Sequence, residues 1–125
     1  MPSFEDLRTI ALSLPRVHED RHFEGPAFRV GNRKFALLWV PTQQTILKLP
    51  PGLQAQLFKD RPEAALPIRV GTVFWAELKL TSIKRGELEE WVTQAWTTVV
   101  TKKLARAYLD EGKLPEEYGS ASPLR

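Results

Sequence analysis

The chain has 125 residues and no cysteine, and its 18 Lys and Arg against 15 Asp and Glu give a formal net charge of +3. This length is typical of one domain, and the missing cysteines exclude a disulfide scaffold, a thiol nucleophile and a Cys-based metal site. The longest apolar run, residues 35–40, is far shorter than the roughly twenty residues of a membrane span. The first residues also lack the basic-then-apolar layout of a signal peptide, so we expect a cytoplasmic protein.

The first predicted element is a helix over residues 3–14. Its apolar residues recur at three- and four-residue spacing, Ser3 and Asp6 match a capping box, and Pro15 ends the helix. The following stretch, 16–26, is polar and closes with a Gly-Pro pair, so we interpret it as a loop.

Three strands are predicted next, and the first two are joined by Gly31-Asn32, which a tight hairpin turn favours. In the second strand, alternation places Phe35, Leu37 and Trp39 on one face and further apolar residues on the other. Apolar residues on both faces indicate a central strand that is covered, at least partly, on each side. The three strands cover residues 27–30, 34–40 and 45–49.

The second half of the chain is predicted to contain a short helix, two strands and one long helix. The long helix begins at Leu88, and its apolar spacing continues to Tyr108 with acidic residues in the first turns and basic residues in the last. Residues 1–110 therefore form a single domain, and residues 111–125 form a loosely ordered tail. The short helix covers residues 52–59, and the two strands cover 66–70 and 74–80.

This order of elements predicts an α+β two-layer sandwich: helix, three strands, helix, two strands, helix. We expect a mostly antiparallel five-stranded sheet with the helices packed on one face.

The end of the first predicted helix carries a recognisable signature. The run Ala11-Leu-Ser-Leu-Pro-Arg-Val resembles the "SLPG" signature that closes the first helix of the MmcQ/YjbR-like proteins, with Arg16 where many members have glycine. The resemblance covers roughly Phe4 to Tyr108. It implies a YjbR-like α+β fold shared with secretion-chaperone-like folds, and DNA as a partner, since members usually carry the name DNA-binding by fold analogy. Further matches are Pro26-Ala-Phe-Arg-Val, Lys34-Phe-Ala-Leu-Leu, Leu47-Lys-Leu, Trp75 and the pair Ala95-Trp96.

Positive charge is concentrated in the first three strands, because no Asp or Glu lies between Gly25 and Lys59. Arg33 and Lys34 follow the hairpin turn, so at least one of them should project from its tip, where it could reach phosphates. Arg29 and Lys48 are expected on the solvent face of the same sheet. The alternative interpretation is that these charges keep a half-exposed sheet soluble and prevent strand-on-strand aggregation.

Two tryptophans, Trp39 and Trp75, lie in predicted strands, and an aromatic ring on a basic sheet face can stack on an unpaired base. Trp75 shares its face with Glu77 and Lys79, which favours partial exposure, whereas a large aromatic residue in a sheet is also commonly buried packing. We include Trp75 with the four cations in a candidate nucleic-acid interface.

The segment from His18 to His22 places two imidazoles four residues apart with carboxylates between them, a spacing that suits zinc only on a helix. A regular helix is not expected between Pro15 and the Gly-Pro pair, and the chain has only 2 histidines, so a polar loop is the alternative. We predict no metal and no cofactor. No serine stands in a nucleophile-elbow context and no glycine-rich phosphate loop occurs, so we predict that the protein is not an enzyme.

Our leading hypothesis is a monomeric, non-enzymatic protein that binds nucleic acid through its basic first hairpin and sheet face. The alternative is a protein-interaction or chaperone-like module that uses an apolar patch near Trp39 or Trp75, or an open sheet edge. A third hypothesis is a metal or small-molecule site at His18 and His22.

Overall fold

A computed structural model describes residues 2–22 and 25–111, which form four α-helices and six strands. Two short 3-10 turns, Val40–Thr42 and Leu80–Ser82, follow the third and the last strand. In chain order the elements are α1 Phe4–Ser13, β1 Val17–His22, β2 Gly25–Val30, β3 Arg33–Trp39, β4 Gln44–Leu47, α2 Pro51–Asp60, β5 Ala65–Val70, β6 Val73–Lys79, α3 Arg85–Trp96 and α4 Lys102–Glu111.

α1 begins at the capping box that the sequence predicts. The Ser3 hydroxyl accepts from the Asp6 N–H at 3.2 Å, and the Asp6 carboxylate accepts from the Ser3 N–H at 2.8 Å. The apolar stripe of the helix, with Leu7, Ile10 and Ala11, is buried against the sheet and α3.

The sheet has the order β1-β2-β3-β4-β6-β5, and every neighbouring pair is antiparallel. The helices bury their apolar stripes in one common core with one face of this sheet. The predicted two-layer α+β sandwich is therefore confirmed. Apart from the two departures described next, the predicted elements agree with the observed ones to within two residues at each end.

The first departure is β1, which was predicted to be loop and brings the sheet to six strands. It pairs with β2 along its whole length, from Val17 opposite Val30 to His22 opposite Gly25. Its carboxylates are satisfied on both faces of the sheet: Glu19 lies 2.9 Å from the guanidinium of Arg8 in α1, and Asp20 pairs with a cation on the opposite face. An edge strand of this kind needs few apolar residues.

The second departure is the long final helix, which is interrupted and becomes α3 and α4. Residues 97–101 read Thr-Thr-Val-Val-Thr, five consecutive β-branched side chains that disfavour helix. The Thr98 hydroxyl donates to the carbonyl of Ala95 at 2.7 Å, which helps to end α3. The Thr101 hydroxyl then accepts from the Leu104 N–H at 3.1 Å and caps α4.

A β-bulge changes the faces of β3. Ala27 pairs with Leu37 and Phe28 with Ala36, but Arg29 then pairs with Lys34, so Phe35 is an additional residue on β3. Phe35 consequently lies in the main core with Ala36, and the prediction that it shares a face with Leu37 and Trp39 is wrong.

The core has two parts. The larger part lies between the helices and the sheet and centres on Trp96, Phe28 and Phe35, which are fully buried. A smaller cluster lies on the other face of the sheet, which none of the described helices covers and which we call the helix-free face. There β5 places Ile68 and Val70 against the cluster. Its buried members are Ala27, Leu37, Ile46 and Trp75.

The predicted tail, residues 111–125, lies outside the described residues except for Glu111, the last residue of α4. Within the described residues, no helix is long and apolar enough to cross a membrane.

Candidate nucleic-acid interface

Two hairpin turns lie at the same end of the sheet. Gly31 joins β2 to β3 with φ +63°, and Gly71 joins β5 to β6 with φ +67°, a backbone conformation that favours glycine in both turns. The first turn is the one that the sequence predicts from Gly31-Asn32.

Three of the four predicted cations, Arg33, Lys34 and Lys48, line one shallow groove of about 570 Å³ between these turns. We call it the cationic groove. Val70, Val73 and Trp75 complete its walls. The antiparallel order brings these residues together, because Lys48 follows β4 directly and its N–H bonds to the carbonyl of Phe35 in β3 at 2.9 Å.

The described residues that line the cationic groove give it a positive charge. None of the described residues that line it carries a carboxylate. Within the described part of the chain, neither Arg33 nor Lys48 forms an ion pair. Cationic side chains grouped on one surface attract phosphates and other polyanions.

Arg29, the fourth predicted cation, is placed differently. Its side chain is 22% exposed, and its Nε lies 3.1 Å from the Asp20 carboxylate of β1 as an ion pair without hydrogen-bond alignment. Its Nη1 donates to the carbonyl of Asn32 at 3.2 Å and so holds the hairpin turn. The backbone N–H of Arg21 and the charge of Arg29 lower the pKa of Asp20 from its ordinary value. Arg29 is therefore neutralised by a strand that the sequence pattern did not predict.

Trp75 is 5% exposed and packs with Leu37 and Ile46 on the helix-free face. Of the two interpretations of this residue, buried packing is the one observed. Trp75 supports the wall of the cationic groove and presents little ring surface for stacking.

A second groove of about 390 Å³ adjoins the first on the same face and contains Trp39, near which the alternative hypothesis from the sequence places an apolar patch. We call it the apolar groove. Lys34 and Val70 line both grooves, so the two are continuous. Its apolar lining consists of Leu37, Trp39, Ile46, Ile68 and Val70.

The predicted histidine pair lies on β1, not on a loop or a helix. Because a strand advances about 3.3 Å per residue, positions 18 and 22 are about 13 Å apart along it, and the helical spacing that suits zinc is not present. In the described ranges 2–22 and 25–111, no three His, Cys, Asp or Glu residues are grouped to hold a metal.

The sequence model of the YjbR family matches residues 12–98, which is more than half of the chain. The chain belongs to the YjbR family. This confirms the resemblance that the signature around Leu14 and Pro15 indicates. The fold of this YjbR-family protein is similar to the crystal structure of Deinococcus radiodurans protein DR2400, which carries a DUF419 domain, with a TM-score of 0.72. The two chains are 24% identical, and the match covers 93% of this chain and 91% of that one. No curated protein matches the sequence at a significant level.

Proposed function

We propose that this YjbR-family protein binds nucleic acid, and that Arg33, Lys34 and Lys48 contact phosphates in the cationic groove. The observation that carries this proposal is the convergence of three cationic side chains on one groove with no carboxylate among its described lining residues. Such a groove favours binding of a polyanion, because each phosphate contact releases counterions that are condensed on the nucleic acid.

The shape of the groove favours a polymer over a small metabolite. Sites for small ligands are concave and bury most of the ligand surface, whereas this groove is shallow and widely open. The turn residues on its two sides, Gly31 and Asn32 on one hairpin and Gly71 and Thr72 on the other, are all exposed. A nucleic-acid backbone can therefore cross the end of the sheet between the two turns.

The test is a double charge reversal in the groove, Arg33→Glu with Lys34→Glu, measured by fluorescence anisotropy on labelled DNA at low salt. We expect affinity to fall about tenfold or more, because two phosphate contacts are replaced by repulsion. The matched control is Arg21→Glu with Lys59→Glu, which makes the same change in net charge at two exposed residues outside the groove. This control should bind within about twofold of wild type.

Melting curves of both double variants accompany the titration, since Arg33 is exposed and Lys34 lies at the sheet surface. Equal losses of affinity in the groove variant and the control would show that only net charge matters. Either that result, or wild-type protein that binds no DNA at low salt, would overturn the proposed function.

A further inference from the structure

The apolar groove is an unusual feature of a sheet face that none of the helices in the described part of the chain covers. Its floor consists of Leu37 and Ile46, each 5% exposed, and β5 forms the opposite wall with Ile68 and Val70. The solvent face of an antiparallel sheet is commonly polar, so a concave apolar surface here indicates a binding surface.

Trp39 is the aromatic ring of this groove. It lies at the end of β3, is only partly buried, and shares the groove with the floor residue Leu37. A flat indole beside aliphatic side chains can pack against another flat ring. Lys34 stands where the apolar groove meets the cationic groove.

The two grooves together therefore match a ligand that has an apolar planar part next to a negative charge. We propose, building on the function proposed above, that the apolar groove receives an unpaired base of a single-stranded nucleic acid whose phosphates lie in the cationic groove. A duplex presents its phosphates on the outside and keeps its bases stacked and paired, so it reaches the cations but not the apolar groove. A single strand satisfies both grooves at once.

The experiment compares three probes on wild-type protein at one salt concentration: a labelled single strand, the duplex of the same sequence, and a single strand of the same length with abasic sites. The abasic strand keeps the phosphates and lacks the bases. We expect the ordinary single strand to bind about fivefold or more tightly than the other two, which is the effect of stacking one base.

Two variants test whether the preference for bases depends on the ring of Trp39 in the apolar groove. Trp39→Ala should remove most of the advantage of the single strand over the abasic strand, whereas Trp39→Phe, which keeps a ring, should retain it. The matched control is Leu12→Ala, because Leu12 is a large apolar residue that is 42% exposed and lines neither groove. This control should bind all three probes as wild type does.

Failure of the inference and failure of the proposed function give different results. Equal affinity of wild type for all three probes, with the loss in the Arg33→Glu and Lys34→Glu variant still present, would overturn base binding and leave phosphate binding in place. Absence of binding to every probe at low salt would overturn both.

Discussion

At the scale of single residues, Arg16 holds a backbone conformation that suits glycine. It follows Pro15 between α1 and β1, and its φ of 67° lies in the left-handed region. This conformation costs a residue with a Cβ atom about 1–2 kcal/mol relative to glycine. The "SLPG" signature has glycine at this position, so Arg16 lowers the free energy of unfolding of this chain relative to glycine.

We expect Arg16→Gly to raise the free energy of unfolding by about 0.5–1 kcal/mol, because the relief of strain exceeds the entropy that glycine loses on folding. Urea denaturation measures the change. Arg16→Ala is the matched control, since it removes the same charge and keeps the Cβ atom, and it should give no gain. A gain of equal size in the alanine variant would assign the effect to charge and contradict the explanation from backbone strain.

The candidate site was predictable from sequence at some residues and not at others. The position of Arg33 and Lys34 beside the hairpin turn follows from local information, because Gly31-Asn32 immediately precedes them. The pairing of Arg29 with Asp20 depends on β1, whose polar sequence gives no apolar alternation from which a strand could be predicted. The apolar groove depends on the sheet order, which brings Ile68 of β5 and Leu37 of β3 into the lining of one groove, and no local spacing encodes that order.

At the scale of elements, Arg61 joins the end of α2 to the beginning of α3. Its Nη1 lies 2.6 Å from the Glu87 carboxylate, and its Nη2 donates to the carbonyl of Ser82 at 3.1 Å. Its Nε lies 2.8 Å from Glu63, and its guanidinium carbon lies 5.8 Å from the ring centroid of Trp91. One side chain thus holds three segments in place.

The ion pairs of Arg61 with Glu87 and Glu63 make the free energy of unfolding depend on pH. Hydrogen bonds from the Arg61 guanidinium, and then from the Lys84 N–H, lower the pKa of Glu87 from its ordinary 4.5, and the same guanidinium lowers the pKa of Glu63. As pH falls, Glu63 and Glu87 become protonated at a higher pH in the unfolded chain than in the folded protein. The stabilisation from their contacts with Arg61 is therefore complete above about pH 4.5 and is lost as pH falls through their lowered pKa values.

We therefore expect wild-type protein to lose stability on acidification below about pH 4.5, and Arg61→Met to lose less, each relative to its own value at pH 7. Urea denaturation at pH 7, 5 and 3 measures both slopes. Arg8→Met is the matched control, because Arg8 pairs with Glu5 and Glu19 elsewhere in the fold. An Arg61→Met variant whose pH dependence parallels that of wild type would contradict the assignment.

The elements differ in how far the sequence determines them. Periodicity located α1, α2 and the strands from β2 to β6, because their apolar residues face the core at regular spacing. The same periodicity concealed the break after Trp96, since Val99 and Leu104 continue the apolar pattern and are buried on either side of the break. The break is indicated by the low helix propensity of the five β-branched residues 97–101, a property that hydrophobic spacing does not reveal.

At the scale of the whole molecule, the main core and the proposed binding surface lie on opposite faces of the sheet. The main core lies on the helix-bearing face and contains Trp96 and Phe28, whereas both grooves open on the helix-free face. Substitutions of exposed groove residues should therefore change binding with little effect on folding.

The most direct measurement of the central claim is the salt dependence of single-strand binding by wild-type protein. If Arg33, Lys34 and Lys48 neutralise three phosphates, a plot of log affinity against log salt concentration should have a slope of about −2. The slope should become distinctly shallower in the Arg33→Glu and Lys34→Glu variant. An affinity that does not change with salt, or an unchanged slope in that variant, would contradict phosphate binding in the cationic groove.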